Sequence, residues 1–319
     1  MGSPQAVTAI AGPGGGLGGA SLLRLRLKSL LHRWSSFWAV FRSNALAMIG
    51  LLILLAFVAM AISAPFLEGA GVLRDPTAID TSHRYLQPSF SYLLGTDQLG
   101  RDVLSRMWFG SQVTLVIGVL ASVVSMGLGT LVGLISGYYG GWLDEVLMRT
   151  TDFFLVLPTL VLALVFAVVL PPPGVSLWKL IFVIGISLWA STARLVRAQV
   201  LSLKERQFVE RARAVGAGKM RIVFVHIFPN AFTLVFAEAI LTVAVAILSE
   251  SFLSFIHLGP AESITWGKIL EEAQAHSALQ QGLYWWVVAP GLFIVAIVLG
   301  FTLLGFALDE IVNPRLRRR

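Results

Sequence analysis

Residues able to carry covalent or metal chemistry are few in this 319-residue chain, and none stands in a working constellation. There is no cysteine, which excludes disulfides, thiol catalysis and cysteine-ligated metal or iron–sulfur sites. The five histidines, His32, His83, His226, His257 and His276, are scattered over loops and the ends of apolar runs. No H-E-x-x-H pair is present to hold zinc, and no G-x-S-x-G elbow to present a nucleophilic serine. Gly14, Gly16 and Gly19 match G-x-G-x-x-G by count. No strand precedes them, however, and no acidic residue follows at the distance a dinucleotide ribose needs. Gly216-Ala217-Gly218-Lys219 has the outline of a P-loop, but Arg213 stands where the first glycine is required. Met220 replaces the Ser or Thr that would hold magnesium. No catalytic residue, metal site or ATP site is expected, so the chain does not read as an enzyme.

Three groups of polar residues remain. Glu238 and Glu250 lie within one apolar run, and Asp152 and Arg194 lie near the ends of others. Charges at membrane depth are costly and face a protein interior or a water-filled pathway. Glu250 is therefore a candidate pathway residue, the alternative being a hydrogen-bonded place inside the helix packing. The second group is Leu94–Arg106, where Asp97, Arg101, Asp102 and Arg106 crowd a short stretch. Asp97, Arg101 and Asp102 are candidates for gating the pathway or receiving a partner. They could equally form a brace in which Asp97 and Asp102 pair with Arg101 and Arg106. The third group is the basic segment between residues 200 and 231.

The elements that must position these residues are membrane helices. The chain is 56% hydrophobic and 13% charged, where a soluble domain would be about a quarter charged. A bilayer core of roughly 30 Å takes about 20 apolar residues to cross, and six such spans are predicted: Ala45–Phe66, Val113–Ser136, Asp152–Leu170, Trp178–Gln199, Phe232–His257 and Trp286–Leu308. The fold class is therefore an all-α membrane protein of six transmembrane helices. Pro171-Pro172-Pro173-Gly174 cannot continue a helix and marks a tight external turn between the third and fourth spans. The first apolar run begins too late, and runs too long, for a cleavable signal peptide, so it is expected to stay as a helix.

Charge orients the bundle. With the N-terminus in the cytoplasm, the inner segments hold five basic residues in the tail, Arg149, eight between Arg194 and Arg221, and Arg315, Arg317, Arg318 and Arg319. That places 18 of the 24 lysines and arginines inside, and it also explains the net charge of +7 without invoking nucleic acid. Residues 1–43 read as a flexible tail followed by a basic interfacial helix with Trp34 and Trp38 at headgroup depth. Residues 44–67 form the first span and 68–111 an external loop. Residues 112–310 make a five-helix core carrying the cytoplasmic loop 200–231, and 311–319 a basic C-terminal tail.

Within that loop, Leu203, Phe208, Val209, Ala212 and Val215 fall near one helical face, with Lys204, Arg206, Arg211 and Arg213 largely off it. Gly216-Ala217-Gly218 ends the helix. A second short helix, Lys219–Phe228, runs to Pro229-Asn230, where the next span is expected to start with Pro229 in its first turn. Small residues at Ala212, Ala214 and Gly216 leave room for a partner surface. The predicted shape is a docking element.

Glu210, Ala212 and Gly216, followed by Ile227-Phe228-Pro229 thirteen residues beyond the glycine, resemble the EAA loop of ATP-binding-cassette import permeases. Arg211 stands where the pattern has alanine, His226 where it has isoleucine, and Phe228 where it has leucine. Leu94–Arg106 closely resembles the LGTDxxGRDVLSR signature of the peptide class. Gly137–Pro158, Ser249–Gly259, Trp266-Gly267 and Trp285–Arg317 are similar as well, in order, over roughly residues 33–317.

The resemblance implies a type I ABC importer permease fold, a five-helix core plus an N-terminal helix, in a C-type permease of the dipeptide/oligopeptide class. It implies alternating access in the bacterial cytoplasmic (inner) membrane, with both termini cytoplasmic. The implied partners are a second homologous permease, two ATPase subunits that bind ATP and magnesium, an extracytoplasmic binding protein and membrane lipid. This chain would bind no cofactor itself, and no nucleic acid. The coupling residues implied are Glu210, Ala212, Ala214, Gly216, His226 and Pro229. Import of nickel chelates or another small solute by the same architecture is the alternative. An ion-coupled secondary transporter would more often show inverted repeats and helices broken at mid-membrane.

Overall fold

The structure is a computed structural model that describes residues 38–312 apart from 172, 173 and 175. The expected N-terminal tail, most of the basic interfacial helix and the final basic tail lie outside the described residues. Residues 38–43 are helical. From Ala45 the elements are α1 (Ala45–Gly69), α2 (Val103–Tyr139), α3 (Gly141–Val156), α4 (Thr159–Val169) and α5 (Leu177–Lys204). There follow α6 (Gln207–Ala214), α7 (Lys219–Arg221), a π-helical stretch Ile222–Ile227, α8 (Phe228–Leu253), α9 (Trp266–Ala275) and α10 (Tyr284–Val312). Among the described residues, five helices are long and apolar enough to cross a membrane, and a sixth span is available if α3 and α4 count together.

That sixth element differs from the expected span Asp152–Leu170, beginning earlier and bending part-way. α3 and α4 are bent by 97° at Leu157-Pro158. Pro158 offers no N–H to continue the helix, and its ring pushes the residue before it out of the α region. Leu157 accordingly takes φ −79° and ψ 134°. The pieces have 16 and 11 residues, about 24 Å and 16 Å at 1.5 Å per residue, so neither alone crosses a 30 Å core. α3 is fastened to α5 by a bidentate pair in which Arg197 Nε and Nη2 each donate at 2.6 Å to Asp144. The Ser136 hydroxyl donates to the same carboxylate.

Close helix approach depends on small residues, because lipid tails give apolar side chains no incentive to leave them. Gly129, Gly133 and Gly137 form one stripe on α2 against α5. A Cβ on Gly133 would fall 2.6 Å from the Ala193 carbonyl oxygen, and one on Gly129 2.6 Å from that of Trp189. α1 meets α10 in the same manner, where a Cβ on Gly50 would lie 2.8 Å from the Gly300 carbonyl oxygen.

Among the described residues, three of the apolar clusters join most of these helices. One joins α1, α2, α8, α9 and α10 through Phe57, Met107, Ile247, Trp266 and Trp286. A second joins α2, α4, α5 and α8 through Ile117, Ala163, Ile184 and Leu253. The third packs the loop after α5 beneath α2 and α5, with Val209, Ala212, Ile222 and Ile227 against Leu134, Val196 and Val200.

Candidate functional site

The segment preceding α2 is irregular but closed. Asp97 is fully buried. Its Oδ1 accepts the backbone N–H groups of Leu99 at 2.9 Å and Arg101 at 3.0 Å. Its Oδ2 accepts Arg101 Nε at 2.7 Å and Arg106 Nη1 at 2.8 Å. Glu272 of α9 completes the group, with Oε2 taking Arg101 Nη2 at 2.7 Å and Arg106 Nη1 at 2.5 Å. Two carboxylates thus meet two guanidinium groups, so the buried charges neutralise one another instead of standing alone. Burial acts on Glu272 to raise its pKa, but Arg106 and Arg101 outweigh it and hold the carboxyl below the usual glutamate range.

Asp102 pairs with neither arginine, contrary to the brace as expected from sequence. It is the N-cap of α2, accepting Ser105 N–H at 3.0 Å and the Ser105 hydroxyl at 2.6 Å, and so satisfies otherwise orphaned donors of the first turn. The rest of the motif is equally committed. Thr96 Oγ1 donates to the His83 carbonyl at 2.5 Å and accepts Leu86 N–H at 2.8 Å. Gly100 has φ +77°, and a Cβ there would lie 1.8 Å from the Asp80 carbonyl oxygen, a place only glycine can fill. The segment is anchored on itself and on α9.

Glu250 is also fully buried. It accepts Ser254 Oγ at 2.7 Å and Ser251 Oγ at 3.3 Å, with the Thr265 side chain as a further partner. These bonds tie α8 to the turn after it and to the N-cap of α9. His257 in that turn is left-handed, φ +68°, and its Nε2 lies 3.0 Å from Glu271 Oε1. Lys268 Nζ lies 2.5 Å from the other oxygen.

At the other end of the bundle, α5 stops at Lys204 and α6 begins at Gln207. Val209 and Ala212 are buried. Phe208 and Val215 are not, being 38% and 84% exposed. The helix closes in a Schellman arrangement: Gly216, at φ +81°, donates to the Arg213 carbonyl at 3.0 Å, and Ala217 donates to that of Ala212 at 3.0 Å. Around this bend lies a groove of about 610 Å³ walled by Phe208, Arg211, Ala212, Val215, Gly216, Ala217, Arg221 and His226. Glu210 and Ala214 are exposed on α6, and Pro229 is exposed beyond the groove.

The second short helix and the following span are not separate elements. Helix runs from Lys219 to Leu258, with Pro229 in the first turn of its α8 part as expected. The π-helical stretch absorbs the proline, with Phe228 N–H reaching back five residues to the Val223 carbonyl. Asn230 Nδ2 donates to the His226 carbonyl at 2.6 Å. A π-bulge is how a helix accepts a missing donor without breaking.

Residues 129–318 match the family model for binding-protein-dependent transport system inner membrane components. The chain belongs to this family. It is therefore a multi-pass membrane permease component. Residues 32–88 match a second model, the N-terminal TM domain of oligopeptide transport permease C. The chain is 36% identical over 294 residues to the oligopeptide transport system permease protein OppC of Bacillus subtilis (strain 168), which spans 91% of this chain and 92% of that one. It is 34% identical to the dipeptide transport system permease protein DppC of the same organism, over 88% of this chain and 85% of the relative. It is also 34% identical to DppC of Haemophilus influenzae (strain ATCC 51907 / DSM 11121 / KW20 / Rd), over 88% and 95%. A chain of the MetNI methionine ABC transporter in inward-facing conformations aligns at TM-score 0.48 and 20% identity, over 67% of this chain and 97% of that chain.

Within this permease, Ala212, Gly216 and His226 come together on one groove, with Glu210 and Ala214 on the helix beside it. Asp97 and Arg101 are joined to each other, Asp102 is set apart as a cap, and Glu250 lies in separate helix packing. Sequence reasoning missed Glu272, whose partners are 166 and 171 residues away. It also missed Arg221 and the exposure of Phe208 and Val215.

Proposed function

We propose that this chain is the permease subunit of an ATP-driven, binding-protein-dependent importer that moves di- or oligopeptides across the cytoplasmic membrane by alternating access. The observation that carries the proposal is the exposed surface of α6 and its glycine bend, fixed from behind by the Val209–Ala212 contacts, in a chain similar along its length to permeases named for oligopeptides and dipeptides. ATP and magnesium sit on two partner ATPases. Their closure pushes on α6, and the helix continuing from Lys219 through the π-bulge passes the movement into the membrane. A second homologous permease encloses the pathway, and an extracytoplasmic binding protein delivers the peptide. The distribution of basic residues supports both termini being cytoplasmic. Glu210, Ala212, Ala214, Gly216, His226 and Pro229 belong to the coupling surface.

The test is reconstitution of the whole complex in proteoliposomes with its binding protein and a labelled peptide. Uptake is expected to require ATP and to continue when ion gradients are collapsed. Uptake driven by an ion gradient after ATP depletion would overturn the ATP-driven reading. A binding protein that co-purifies with a metal chelate rather than a peptide would overturn the substrate.

A further inference from the structure

The groove at the glycine bend is more than a flat face for a partner. Residues 204–221 carry six basic side chains against Glu205 and Glu210. Among the described residues, Arg211 and Arg221 form no salt bridge, although both are exposed and both wall the same groove as half-buried His226. Phe208 and Val215 stand apolar and exposed at its edge, and Ala212 supplies a small floor. Unpaired guanidinium groups beside an exposed apolar edge form a site for a carboxylate carried next to an apolar side chain, because guanidinium presents a fork of donors that a carboxylate matches.

We propose that an acidic side chain of the partner ATPase enters this groove and pairs with Arg211 and Arg221 while an adjoining apolar side chain packs on Phe208 and Val215. The inference rests on the coupling surface proposed above and adds the chemistry of its partner. A protein carboxylate fits better than a lipid phosphate because the exposed Val215 and Phe208 need a dry apolar contact in the same place.

The absence of cysteine from the chain lets Val215→Cys carry a single photo-crosslinker in the intact, co-expressed complex. The crosslink is expected on an ATPase peptide that contains Asp or Glu. Arg211→Glu and Arg221→Glu are each expected to weaken ATPase association about tenfold or more, as for a close interfacial charge pair. Arg211→Lys should retain most of it, and converting the crosslinked acidic residue to Arg should restore binding to Arg211→Glu. Both arginines are exposed, so the variants should insert normally, and their amounts in the membrane are measured alongside. If the crosslink reaches the ATPase but both Glu variants bind it at full strength, the charge pairing is wrong and docking stands. If the crosslink reaches phospholipid and no ATPase, the docking surface itself is wrong.

Discussion

Arg106 and Glu272 meet at 2.5 Å although 166 residues of chain separate them. Arg106 is 1% exposed and belongs to the first turn of α2, while Glu272 sits on α9 between two spans. With Asp97 and Arg101 they make one neutral cluster that holds the segment before α2 on α9. Removing one member leaves an uncompensated buried charge, which costs about 3–5 kcal/mol. Glu272→Ala is therefore expected to lower the unfolding midpoint of the detergent-purified protein substantially. An unchanged midpoint would show that the cluster contributes nothing to stability.

The same cluster has a pH signature. Because the folded state holds the Glu272 carboxyl below its usual range, its stabilisation is complete above the pKa of the unfolded chain. It is lost as pH falls through the lower, folded value. Unfolding midpoints should decline from neutral toward acid pH, and Glu272→Gln should flatten that slope while lowering the neutral plateau. An equal slope in both proteins would assign the acid sensitivity elsewhere.

The α2 glycine stripe invites a paired test. Gly133→Val would force a side chain against the Ala193 carbonyl and Val196 Cβ, at 2.6 and 2.7 Å. Overpacking of this kind costs about 1–3 kcal/mol and more where backbone must move. Gly127, on the same helix, has nothing within 4 Å of an added Cβ, so Gly127→Ala should be near neutral. Membrane levels and thermal unfolding of the two variants should separate clearly.

Gly216 separates backbone strain from space. Its φ of +81° disfavours other residues, yet an added Cβ would meet nothing within 4 Å. Gly216→Asn, which tolerates the left-handed region, should keep coupling, with a cost of about 1–2 kcal/mol at most. Gly216→Trp should insert into the membrane but fill the groove, so that ATP hydrolysis by the complex is no longer matched by uptake. Simultaneous assay of phosphate release and peptide uptake in proteoliposomes decides it, and normal uptake by the Trp variant would count against the coupling role.

Glu250 offers a test of a buried carboxyl acting as a fastener. Glu250→Gln keeps one acceptor oxygen in place of the two that receive Ser254 and Ser251 and should cost less stability than Glu250→Leu. Glu250→Leu strands both hydroxyls, at about 1–3 kcal/mol for each buried polar group left without a partner. Equal behaviour of the two variants in thermal unfolding would mean that these bonds do not fasten the end of α8 to the turn after it.

What the chain alone determined follows from physics that acts locally. Apolar runs of membrane length announce spans wherever they occur, and Gly216 ends a helix because few other residues take its φ. The glycine bend was legible for that reason. Tertiary structure decided what depends on geometry between elements. Pro158 was visible, but whether it would kink a span or split it by 97° depended on the neighbours available to each half. Pro229 was legible as a first-turn residue, but that helix leads into it through a π-bulge was not. Asp102 and Asp97 look interchangeable beside two arginines. One caps α2 and the other binds both arginines, because Glu272 arrives from α9 to balance the second positive charge. A buried charge selects its partner in space, and sequence separation carries no record of that choice.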